Sequence, residues 1–215
     1  MPAELLENAP AVPGTGGPRG GGDRPRGEGG SSGEGSGGLF GDPARFGLWA
    51  FLGTVSMLFI GFTSAVILRR ASGDWRPLPA PPVLWFNTAA LLASSASLEA
   101  ARRRLRAWDA RSAQALLGVT GLLGGLFLTG QVLAWRELAA RGIFLASNPH
   151  SSFFYLLTGV HGAHLLGGLA WFAVAFLHMR RSSYVPDGDG LRLFATYWHF
   201  LDALWVYLLF LLFVL

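Results

Sequence analysis

Five long stretches of this 215-residue chain are almost free of charge, and they limit its fold more than any other feature. Residues 46–68, 77–98, 112–135 and 142–179 carry no charged side chain, and 193–215 carries only Asp202. About 20 apolar residues rising 1.5 Å each cross a hydrocarbon core of roughly 30 Å. The 142–179 run opens with an Asn-Pro pair, read as a loop, and then holds one long helix. The expectation is an all-α integral membrane bundle of five transmembrane helices, over about 46–69, 83–104, 112–136, 152–179 and 193–215. A soluble two-layer domain would need polar faces and turns at shorter spacing.

Residues 1–41 are of another kind. The first forty contain thirteen glycines and five prolines, with three Arg against five acidic residues and almost nothing apolar after Leu6. Such a segment buries too little to offset its chain entropy, so a disordered Gly-rich tail is expected before a helical domain over 42–215. No apolar core follows the amino terminus, so it does not read as a signal peptide.

All seventeen basic residues are Arg. With five spans, one side of the membrane receives twelve of them, in the tail, in 102–111 and in 180–192. The other side receives Arg69, Arg70, Arg76, Arg136 and Arg141. The positive-inside bias places the amino terminus in the cytoplasm and the carboxyl terminus outside. The basic pI follows from that distribution rather than from a nucleic-acid footprint, and no nucleic-acid partner is expected. Zero Cys excludes disulfides, c-type haem attachment and thiolate metal sites.

A few polar residues inside the spans are the candidate site. Glu99 sits late in the second span, before Arg102, Arg103, Arg104 and Arg106. It is either the first interfacial charge, paired at i+3 or i+4 with Arg102 or Arg103, or a semi-buried carboxyl that holds a proton. The run 93–97, Ala-Ser-Ser-Ala-Ser, is small enough for close helix packing. His161 and His164 are i,i+3 and read as one face, with Gly162, Gly167 and Gly168 nearby. Two ligands of one haem approach from opposite faces, so this spacing favours hydrogen bonds between helices, or contact with a headgroup or water chain, over metal. His199 and Asp202 are again i,i+3. A carboxyl deep in a span costs at least about 2.5–3.5 kcal/mol unless it faces the bundle. The pair therefore reads as packing glue, with His161 or His164 as partners, while Tyr197 and Trp198 fit an interfacial aromatic belt.

Together these residues resemble a family. Tyr-Trp-His-Phe-Leu-Asp-Ala-Leu-Trp at 197–205 is similar to the last-helix motif of subunit III of haem-copper respiratory oxidases, and His-Gly-Ala-His at 161–164 to its H-G-x-H. Residues 46–70 resemble the first helix of the five-helix form, 121–135 the G-x-x-F-x-x-x-Q run of the third, and Glu99 falls where the family carries a membrane carboxyl. Two departures are visible. Residues 54–59 lack the family's acidic group, and Ala134 replaces an acidic residue before Trp135.

The resemblance implies an accessory subunit of a proton-pumping cytochrome c oxidase, without catalytic or cofactor-binding residues of its own. Haems and copper belong to subunits I and II, its partners, and cytochrome c donates the electrons. It also implies bound phospholipid, for which the Arg cluster of Arg102, Arg103 and Arg106 offers a cationic rim. The cell inner membrane is the implied location. A quinol oxidase, a subunit associated with nitric oxide reductase, and a small transporter lined by Glu99, His161, His164 and Asp202 are the alternatives.

Overall fold

A computed structural model describes residues 43–71, 73–182 and 188–214, with side chains at 181, 182, 188 and 189 left aside. The expected tail, 1–41, lies outside the described residues. Among the described residues the chain forms five helices: α1 (Pro43–Arg70), α2 (Val83–Arg106), α3 (Ala110–Ala140), α4 (Pro149–Ser182) and α5 (Gly188–Phe213).

Four of these, α1, α3, α4 and α5, are long and apolar enough to cross a membrane. The fifth, α2, falls short of that mark, and its composition shows why. Asn87, Thr88, Ser94, Ser95 and Ser97 interrupt its apolar residues, and it ends in charge. The packing explains how so polar a helix is accommodated. Antiparallel α2 and α3 form the closest pair, with the Ser97 hydroxyl donating to the Leu116 carbonyl (2.9 Å). Next, α3 packs on α4, α4 on α5, and α5 returns to α2, closing a four-helix ring. Helix α1 lies outside that ring, against α4 and α5 alone.

Several boundaries follow from capping. Asp109 starts α3 by accepting the Ser112 amide at 3.1 Å. Hydrogen bonds from the Ser112 hydroxyl and then its amide hold the Asp109 carboxyl below the ordinary aspartate range, with Arg104 helping. Trp108, 95% exposed, makes the α2–α3 turn at φ 60°. Helix α4 begins earlier than expected, at Pro149. Asn148 is the cap: its side chain accepts the Ser151 amide (3.0 Å), and the Ser151 hydroxyl accepts the Asn148 amide (3.1 Å). Proline suits the first helical position because its missing N–H has no partner to lose. The Asn-Pro pair therefore opens the helix rather than preceding it.

Because α1 lies outside the ring and α2 within it, the connection, described over 73–82, crosses over the end of the bundle. His150, buried in the first turn of α4, clamps it there. Its Nδ1 accepts the Leu78 amide at 2.8 Å, and its ring stacks on Trp75 with centroids 4.7 Å apart. Phe213 at the end of α5 completes the cluster.

Helix α2 leans on α3 at Gly130, where an added methyl would collide with the buried Asn87 side-chain oxygen. Gly130→Ala is expected to cost about 1–3 kcal/mol by overpacking. Adding Asn87→Ala should recover most of that loss, a coupling measurable as a double-mutant cycle in thermal unfolding of the full-length chain in detergent.

Candidate functional site

The polar residues of the α4 and α5 motifs meet at the ring's interior. Helix α5 carries two fully buried indoles seven residues apart, and each points its N–H at a hydroxyl of α2. Trp198 Nε1 donates to Ser94 Oγ (2.8 Å), and Trp205 Nε1 donates to Thr88 Oγ1 (3.1 Å). Beside the first pair, Ser95 bonds His199 Nδ1. The small hydroxyl residues of α2 thus match the aromatic residues of α5 in antiparallel register. The expected place of Trp198 in an interfacial belt is corrected: it is fully buried inside the ring. Its ring packs on Gly124 of α3, where a side chain would leave it no room.

Asp202 lies one turn beyond His199 and is 5% exposed, with no hydrogen-bond partner for either carboxyl oxygen among the described residues. Its expected pairing with a histidine of α4 is not formed. His161 is fully buried and wedged between the edge of Phe127 (centroids 6.0 Å apart) and Trp205 (5.3 Å), with both ring nitrogens unbonded. His164 faces another way. Its ring lies near Phe51 and Phe59 of α1, and its Nδ1 donates to the Val160 carbonyl of its own helix at 2.8 Å.

The two histidines therefore address different helices, because a 60° offset at i,i+3 suffices to separate faces when three helices surround one. The α4–α5 hydrogen bond is instead made by the backbone: the Tyr197 hydroxyl donates to the His164 carbonyl (2.7 Å). Of the three glycines flagged beside the histidines, only Gly168 lies against another helix, under Tyr197.

His164 lines a largely apolar cleft of about 640 Å³ between α1 and the α4–α5 pair, with Leu48, Phe51, Trp171 and Tyr197 among its walls. Glu99 sits at the far edge of the α2–α5 seam, bonded to Arg102 (2.6 Å) and within 3.9 Å of Arg103. That is the geometry of the interfacial ion pair rather than of an isolated carboxyl. Glu99 and Arg102 are also close enough to His199 to act on its charge. Arg106 is exposed near the same hairpin tip, and none of Arg102, Arg103 and Arg106 lines the cleft. Among the described residues no group of three or more His, Asp or Glu could hold a metal ion. His150 was not visible as a clamp in the sequence, because nothing local announces that a distant loop will fold back onto it.

A profile of the family described as cytochrome c oxidase subunit III matches residues 44–215. The chain belongs to that family. Among its relatives is the cytochrome c oxidase subunit 3 of Bacillus sp. (strain PS3), 28% identical over 75% of this chain and 81% of the relative. The Synechocystis sp. cytochrome c oxidase subunit 3 is 31% identical over 81% of this chain and 76% of its own length. The cytochrome bo(3) ubiquinol oxidase subunit 3 of Pseudomonas aeruginosa is 30% identical over 75% and 79%. As a subunit III, the chain is an accessory part of a haem-copper oxidase rather than its redox centre.

The geometry separates two substitutions along the α2–α5 seam of this subunit III. Ser95→Ala removes the partner of a half-buried imidazole and is expected to cost about 1 kcal/mol. Asp202→Leu removes a buried carboxyl that meets no hydrogen bond of good geometry and has the Ser95 hydroxyl nearby, and is expected to cost less than Ser95→Ala. Thermal dissociation of the subunit from the intact complex measures both.

Proposed function

We propose that this chain is the non-catalytic subunit III of a proton-pumping cytochrome c oxidase in a cell inner membrane, packed beside subunits I and II, which hold the haems and copper. The observation that carries the reading is the family match over 44–215, with the H-G-x-H and last-helix residues turned inward as contacts between helices. Their roles are structural. Trp198, His199 and Trp205 set the register of α5 on α2, and His161 and Asp202 fill the ring.

In the proposed topology α2 is a fifth crossing, because it runs antiparallel against α3, which is membrane-grade by itself. The five-helix domain is 42–215, with the amino terminus cytoplasmic and the carboxyl terminus outside. The Arg asymmetry supports this sidedness. Phospholipid chains suit the apolar cleft beside His164, while Arg102, Arg103 and Arg106 meet headgroups at the cytoplasmic surface. Glu99, held by two of those arginines, supports proton uptake at that surface. The ubiquinol oxidase relative from Pseudomonas aeruginosa favours one second reading, a quinol-fed complex.

Affinity purification through a tag on this chain in mild detergent should yield two larger subunits and a haem Soret band. Recovery of the chain without haem-bearing partners would overturn the reading. In the same preparation, oxidation of reduced cytochrome c is expected, whereas oxidation of quinol alone would select the second reading.

A further inference from the structure

Three of the five arginines on the proposed outer side, Arg69, Arg70 and Arg76, lie within eight residues of one another. They run against the charge bias that orients the rest of the chain, and nothing in the α2–α5 seam uses them. Interfacial anchoring accounts for Arg69 and Arg70, which end α1. It does not account for Arg76, which the overhead connection carries back to the same place.

That place is a cavity of about 1270 Å³. Leu68 and Arg69 from the end of α1, Arg76 from the connection, and Ser147, Asn148 and Phe153 from the start of α4 are among its walls. Asp74, also in the wall, bonds Arg69 at 2.5 Å and draws the connection toward α1. Among the described lining residues two guanidiniums stand against one carboxylate, and the 34-residue α4 adds the positive end of its dipole. The other wall is apolar and continuous with the outer surface of α1. Leu68 is 74% exposed, and Met57, 77% exposed, lies three turns back along α1 on nearly the same face. A cationic polar end joined to an exposed apolar track matches an anion that carries hydrocarbon chains.

We propose that this cavity binds the phosphate of an anionic phospholipid, with Arg69 and Arg76 on the phosphate oxygens and the acyl chains laid along Leu68 and Met57. Charge-assisted bonds from guanidinium to phosphate supply the recognition. The site is at the opposite end of α1 from the cleft beside His164. It rests on α1 and α4 spanning the membrane, not on the partners of the subunit.

The test is native mass spectrometry of the intact, tagged complex, delipidated and titrated with phosphatidylglycerol, phosphatidylcholine or glycerol phosphate. Arg69→Gln combined with Arg76→Gln is expected to weaken phosphatidylglycerol retention about tenfold or more. Arg136→Gln, an exposed arginine at the same end but outside the cavity, should leave it unchanged. Asp74→Asn removes the competing carboxylate and should strengthen retention, a gain that misfolding cannot mimic. Unchanged retention in the double variant, weaker retention in Asp74→Asn, or equal binding of phosphatidylcholine overturns the proposal. Glycerol phosphate binding as tightly as phosphatidylglycerol would make this a soluble-anion site and overturn the lipid assignment. Failure of the oxidase reading would appear separately, as wild-type chain purifying without its larger partners.

Discussion

A polar group placed against hydrocarbon has no water to turn to, and α2 carries five uncharged ones within eleven residues, Asn87, Thr88, Ser94, Ser95 and Ser97. Everything else in the bundle is arranged around that fact. Its Ser97 hydroxyl turns to α3 and those of Thr88, Ser94 and Ser95 to α5, so both flanks of the helix must be covered at once. Two neighbours on one helix require a ring, and α4 closes it between α3 and α5. No position in the ring remains for α1, which explains why the helix adjacent in sequence is remote in space. The overhead connection and its clamp at His150 follow from that displacement.

Within the ring, α5 sets the register. An indole N–H buried without an acceptor costs about 1–3 kcal/mol, while each bond made contributes only about 1 kcal/mol. Two such bonds with the same antiparallel register therefore matter less for total stability than for excluding sliding. A shift of α5 along α2 by one turn would strand both indoles and the His199–Ser95 contact together. Apolar burial holds the helices together, and the polar seam decides how they are aligned.

The five apolar runs and their Arg-rich borders made the helices legible in the sequence, to within a few residues at most ends. Neighbours were not legible. Periodicity says which residues share a face, but a face 60° wide can border two helices, so His161 and His164 were paired in reading and separated in space. Trp198 has the composition of a belt residue, and only Gly124 on another helix reveals that there is room for it inside. Asp202 was assigned a histidine because an isolated acid is expensive. The fold instead leaves it without a hydrogen bond within this chain's described residues. His150 escaped notice for the same reason. Its partner, the Leu78 amide, is 72 residues away in sequence and has no signature of its own.

Helix α1 is the least secured element, and that position links it to lipid. Among the described helices it packs on α4 and α5 alone, most of its large apolar side chains are exposed, and Thr63 to Tyr207 (2.9 Å) is a side-chain bond between it and α5. Both large cavities lie along it, the apolar cleft at its start and the arginine-lined cavity at its end. A molecule bound in either one contacts α1 and the ring together, and so favours the docked helix by an amount that grows with occupancy. On this view lipid takes the place of the packing partner that α1 lost when α2 claimed the interior.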